Sequence, residues 1–175
     1  MHARHTSRRA FLASGAALGA ALPLAGAARA AGGDAAGPFR FEVERSEAEW
    51  RAMLSEAEFD ILRANGTEWP GTSALWDDYS TGEFTCRGCD LHLFSSDHRA
   101  PIDKGWVFFY HAQPNAVLTG IDMGSPYSMD ANTDRSLIEV HCRRCGSHLG
   151  HILRVDSEVV HCINGTSLVF HTKAA

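Results

Sequence analysis

Two short motifs, TCRGCD at 85–90 and HCRRCG at 141–146, limit what this chain can fold into more than any other feature. Each carries two cysteines separated by two residues, and 52 residues lie between Cys89 and Cys142. A C-x-x-C turn presents two thiolates on one side, and two such turns surround one tetrahedral cation with four sulfurs at about 2.3 Å, a closed structural zinc site. Cys86, Cys89, Cys142 and Cys145 would then tie distant stretches of chain to one point. Two other chemistries use the same residues. A pair of disulfides would close very small loops and restrain little. A thioredoxin-type redox pair needs a βαβ setting, and the sequence around neither motif supplies one.

The flanking segments suggest helices first and strands after. Ser46 with Glu49, and Ser55 with Glu58, are capping boxes. The first precedes Trp50, Met53 and Leu54 at helical spacing; the second precedes Phe59 and Leu62 and ends at Asn65-Gly66. These two helices read as a lid on a core. From residue 67 onward, short aromatic or β-branched runs (GEFTC, GWVFFY, NAVLTG, SLIEVHC, EVVHCINGTSLVF) are interrupted by Gly, Pro, Asp, Asn and Ser. The expected fold is mainly β, with short N-terminal helices and a zinc centre.

Residues 1–30 read as a targeting peptide rather than as part of a fold: four arginines and no acid, then a run of Ala, Leu and Gly. Residues 7–12, SRRAFL, resemble the twin-arginine export consensus, and Ala28-Arg29-Ala30 is a small-x-small cleavage site. The competing reading is a membrane anchor, for which the apolar run is short. Residues 31–40 read as a flexible lead-in and 41–172 as the folded domain. Cleavage after Ala30 would leave 145 residues and move the formal charge from −5 to −9. That balance argues against a nucleic acid or an anionic membrane surface as partner, and no second apolar segment of spanning length follows. The expected location is periplasmic or secreted.

A fifth cysteine, Cys162, lies in VVHCING. In a strand over 158–164, Val160, Cys162 and Asn164 share one face while His161 and Ile163 share the other. His161 is therefore poorly placed to serve its neighbour as a base. A lone thiol is either a small buried hydrophobe or a nucleophile, and the second needs donors close by. Asn164 and the histidines of SHLGH (147–151) are the candidates.

Taken in order, Gly66-Thr67-Glu68, GEFTCRGCDLHLFSSD, TDRS, EVHCRRCGSHLGH and HCINGTSLVF resemble the type B peptide methionine-R-sulfoxide reductases across residues 41–171. The resemblance implies a β-tent fold and zinc on Cys86, Cys89, Cys142 and Cys145. It also implies a catalytic Cys162 that attacks the sulfoxide sulfur and becomes a sulfenic acid. By the same likeness His148, His151 and Asn164 would hydrogen-bond the sulfoxide oxygen, and Trp106 would pack on the substrate methyl group, with Phe108 and Phe109 counted as further substrate contacts. The implied substrates are oxidised proteins. The alternative on the same fold is a non-catalytic module that binds ligands in the aromatic pocket of Trp106, Phe108, Phe109 and Tyr110.

The chain departs from the family pattern in four places. Gly105-Trp106-Val107-Phe108-Phe109 stands where Gly-Trp-Pro-Ser-Phe is usual, and Val160 stands where an arginine usually precedes the nucleophile by two residues. The segment between SHLGH and Cys162 is short. APIDKGW lacks the resolving cysteine many members have before Gly-Trp, so the sulfenate would be reduced by an external thiol or a thioredoxin-like partner. The loss of the arginine implies a less activated thiol or a compensating cation from elsewhere.

Overall fold

Residues 39–122 and 137–173 are described by a computed structural model; the proposed leader, most of the lead-in and the TDRS motif lie outside them. Helix α1 (Glu47–Met53) and helix α2 (Glu56–Ala64) each begin with the capping box the sequence announces. The Ser46 and Ser55 backbone N–H groups each donate to the glutamate three residues on, at 2.8 Å, and the serine hydroxyls accept in return. Helix α2 stops at Asn65, whose φ of 58° is the left-handed conformation that Asn tolerates at a helix end. One expected stripe residue is displaced. Trp50 and Leu54, four apart, are buried, whereas Met53 is 46% exposed, because it lies about 100° around the helix from Leu54.

The strands make two antiparallel sheets. Strand β1 (Gly82–Cys86) lies between β2 (His92–Ser95) and β8 (Leu168–Thr172). The larger sheet runs β3 (Val107–Phe109), β7 (Glu158–Ile163), β6 (His148–Val155), β5 (Leu137–Cys142) and β4 (Val117–Asp122). The main core fills one side of that sheet. Phe94 stacks on Phe109 with ring centroids 4.4 Å apart, Phe84 meets Phe109 edge-on at 5.0 Å, and Leu149, Ile163 and Leu168 are buried with them. A smaller apolar cluster of Ala100, Phe108 and Val160, joined by Trp106, Val155 and Cys162, packs separately.

Residues directly opposite one another in antiparallel strands point to the same face. Pairing across the five strands therefore gives two parallel rows. One runs Phe108, Cys162, His151, Glu139, Gly120; the next runs Phe109, His161, Ile152, Ile138, Ile121. The alternation expected of 158–164 is present: Val160 and Cys162 join the smaller cluster, while Ile163 lies in the main core and the His161 ring meets Phe94. The short segment before Cys162 is a tight hairpin. Val155 pairs with Glu158, and the two residues between them, Asp156 and Ser157, both have positive φ, 46° and 77°. This is the backbone twist a two-residue hairpin turn requires. Among the described residues, no helix is long and apolar enough to cross a membrane.

Candidate active site and metal centre

Cys86 and Cys142 end strands β1 and β5, and Cys89 and Cys145 follow in the turns. Each turn is folded the same way. Asp90 N–H donates to the Cys86 carbonyl at 2.7 Å and Gly146 N–H to the Cys142 carbonyl at 2.9 Å, with Asp90 and Gly146 both at positive φ. The four sulfurs lie within 4.8 Å of one another. Two cross-motif pairs, Cys86 with Cys145 and Cys89 with Cys142, stand 3.7 and 3.5 Å apart. Four sulfurs bound to one zinc would be separated by about 3.8 Å, so the set fits a tetrahedral metal such as zinc. It does not fit two local disulfides. The crowding also polarises the thiols. Donation from the Cys142, Cys86 and Cys89 thiols holds Cys145 far below the ordinary thiol range, while hydrogen bonding with Cys142 and Cys145 pushes Cys86 far above it.

Separately, Cys162, His151, Asn164 and Trp106 meet around one cleft, together with Thr67, Leu137 and Leu153. Cys162 is flanked by Phe108 of β3 on one side and His151 of β6 on the other. Gly150 makes this approach possible, because a Cβ there would stand 2.1 Å from the Cys162 carbonyl oxygen. His151 Nε2 lies 3.1 Å from Asp122 Oδ2. Asn164 is 2% exposed; its Oδ1 accepts from the Glu68 N–H and its Nδ2 donates to the Leu149 carbonyl, each at 3.2 Å. One of its two N–H donors is left for another acceptor.

Other candidates fall elsewhere. His148 is 1% exposed and does not line the cleft. Its Nδ1 is 2.5 Å from Glu139 Oε1, its Nε2 has no hydrogen-bond partner among the described residues, and its ring centroid lies 5.3 Å from that of His151. Burial lowers its pKa, favouring the neutral ring, against the pull of Glu139. Phe108 and Phe109 are also fully buried and do not line the cleft, so the wall they were expected to form narrows to Trp106. The reason is the pleat: Phe109 points into the main core and Phe108 into the smaller cluster.

Val160, 1% exposed, fills the place of the family arginine with a methyl surface packed on Ala100 and Phe108. No compensating cation acts on Cys162 among the described residues. Burial, and secondarily the negative charge of Glu68, push its thiol up to about 12. The half-buried guanidinium of Arg99 is occupied with the carbonyls of Phe108, Leu75 and Trp76. Sequence reasoning missed three carboxylates, Glu68, Asp122 and Glu139, that touch the site residues. Only Glu68 carried a signal, as the last residue of the Gly66-Thr67-Glu68 motif.

A small two-sheet β domain with a closed four-cysteine centre and a separate cleft built on one free thiol defines the class. The SelR domain family matches residues 54–172, and the chain belongs to that family. Among the curated proteins it is 33% identical over 146 residues to peptide methionine sulfoxide reductase B5 of Oryza sativa subsp. japonica, covering 81% of this chain and 96% of that one. It is 36% identical over 134 residues to peptide methionine sulfoxide reductase MsrB of Methanosarcina barkeri, covering 75% and 89%. With the chloroplastic reductase B3 of Oryza sativa subsp. japonica the identity is 35% over 133 residues, 73% of this chain and only 54% of that protein, so the chain spans about half its length.

Proposed function

We propose that this protein reduces methionine-R-sulfoxide in proteins to methionine, with Cys162 as the nucleophile. The observation that carries the reading is the convergence of a free thiol, a cross-strand histidine, a buried amide and an indole on one cleft. A sulfoxide has one strongly polar oxygen, which needs donors, and a methyl arm, which needs an apolar wall. Asn164 Nδ2 and His151 supply donors, and Trp106 supplies the wall. In the net step the oxygen passes from the substrate sulfur to Cys162 Sγ. The substrate sulfur gains two electrons as Cys162 is oxidised from thiol to sulfenic acid. Because the resting thiol is protonated, its proton passes to the sulfoxide oxygen, directly or through His151, and ends on the oxygen of the sulfenic acid. Asp122 holds the imidazole in place.

Two external thiols, or one dithiol of a thioredoxin-like protein, then return Cys162 to the thiol, releasing water and a disulfide. Zinc on Cys86, Cys89, Cys142 and Cys145 would supply no chemistry to the cleft and would hold the turns together. The resemblance of residues 7–12 to the twin-arginine export consensus supports a periplasmic or extracellular site for this repair. The non-catalytic alternative gains no support from relatives that are named reductases.

The test uses a racemic methionine sulfoxide peptide with dithiothreitol and epimer-resolved chromatography. The expected result is loss of the R epimer alone by the wild type and of neither epimer by Cys162→Ser. Undiminished turnover in Cys162→Ser would sink the proposal. Locating the product of a full-length fusion by cell fractionation tests the export reading separately.

A further inference from the structure

We infer that Glu68 is a positioning residue of this cleft, holding Trp106, Asn164 and the turn after Asn164 in the arrangement that receives the substrate. What the cleft receives rests on the reductase reading; the network itself does not.

Glu68 is buried, and every polar group it carries is directed at the site. Its carbonyl accepts from Trp106 Nε1 at 3.2 Å, which fixes the plane of the indole. Its N–H donates to Asn164 Oδ1 at 3.2 Å, which fixes the amide with Nδ2 as the free donor. Its carboxylate accepts from the Gly165 and Thr166 N–H groups, at 2.6 and 2.9 Å, across the 3-10 turn Gly165–Ser167. The same loop is tied to the residue before Trp106 by Gly71 N–H donating to the Gly105 carbonyl at 2.8 Å. One residue thus couples segments 38 and 96 positions away in sequence.

Charge argues for the same role. Among the described residues no ion pair to Glu68 is present, so its carboxylate is held by backbone donors, and charge-assisted bonds of this kind are about twice as strong as neutral ones. A negative charge near Cys162 opposes thiolate formation. Activation of the nucleophile therefore does not account for a glutamate at this position, whereas the carboxylate's hold on the Gly165 and Thr166 N–H groups does: it fixes the turn after Asn164 against the stretch whose backbone bonds Trp106 and Asn164. The other titratable group facing Cys162 is His151 of β6; β3 presents Phe108, and the residue after β7 presents the neutral amide of Asn164.

Glu68→Gln keeps the side-chain length and an acceptor but removes the charge; Glu68→Ala removes the tether. Both are made in the metal-loaded full chain and compared with wild type for melting temperature, for the iodoacetamide alkylation rate of Cys162 at mildly alkaline pH, and for kcat and KM on an R-sulfoxide peptide. In Glu68→Gln alkylation is expected to be about tenfold faster, a shift of roughly one pH unit in ionisation, while kcat/KM falls about tenfold, mainly through KM. A more ionised nucleophile in a poorer enzyme is a result that a purely fold-stapling glutamate does not produce. Glu68→Ala should lose about 100-fold in kcat/KM in the folded fraction. If Glu68→Gln melts like wild type and leaves both the alkylation rate and KM unchanged, the inference is overturned. If the wild type lacks reductase activity but alkylation still accelerates in Glu68→Gln, the substrate reading fails and the coupling of Glu68 to Cys162 stands.

Discussion

Cys86, Cys89, Cys142 and Cys145 crowd their sulfurs within 4.8 Å at the ends of two strands, whereas Cys162 stands mid-sheet between a phenylalanine and a histidine. The four sit where thiol hydrogen-bonds thiol, so that Cys145 and Cys89 are held below the ordinary thiol range and Cys86 and Cys142 above it, and a cation shared by all four would complete the site. The fifth sits against Val160 and Phe108, where charge on sulfur is disfavoured until something polar enters the cleft. The difference lies in the surroundings. One setting spends its thiols on holding the chain; the other keeps one thiol uncommitted.

Substitutions that treat the two sets alike should separate them most widely. Cys86→Ser removes a ligand and is expected to cost on the order of 5 kcal/mol, a large part of the stability of a domain this size. Cys162→Ser should cost at most about 1 kcal/mol while abolishing turnover. Thermal melts with and without a chelator, paired with metal content, check the contrast, and a chelator should lower the wild-type melt but not that of Cys86→Ser. Next in size is Val160→Arg, which returns a cation to an apolar cluster. Burying it should destabilise by about 3 kcal/mol and at the same time speed Cys162 alkylation, by moving the thiol down from about 12. An unchanged alkylation rate in the folded variant would show that charge at that position does not reach the thiol.

His151→Ala tests whether the cleft supplies proton chemistry. Loss of a positioned acid-base group should lower kcat about 100-fold with little change in melting. The smallest effect is expected for Phe109→Leu, about 1 kcal/mol of stability with KM for the sulfoxide peptide unchanged, because that ring stacks on Phe94 rather than lining the cleft. A raised KM there would return Phe109 to the substrate wall.

Much of this was legible in the chain. The capping boxes, the two cysteine knuckles and the period-two alternation around Cys162 are local patterns, and local patterns fix backbone geometry within a few residues. What was not legible depends on pairing between strands. Nothing near His151 announces that it opposes Cys162, nor that Glu139 follows it in the same row. Nor does GWVFFY say which of its aromatics face outward, since only the position of β3 beside β7 decides that. Glu68 reaches Asn164 across 96 residues, a distance no window of sequence spans.

The Asp156-Ser157 turn lies at the far end of the β6–β7 hairpin, yet it decides which side chain occupies the cleft. Cys162 and His161 are neighbours on opposite faces, and a one-residue slip in pairing exchanges faces. A change in that turn that shifted the pairing by a single residue would therefore bring the His161 imidazole to the cleft in place of the Cys162 thiol, without altering any residue that lines it.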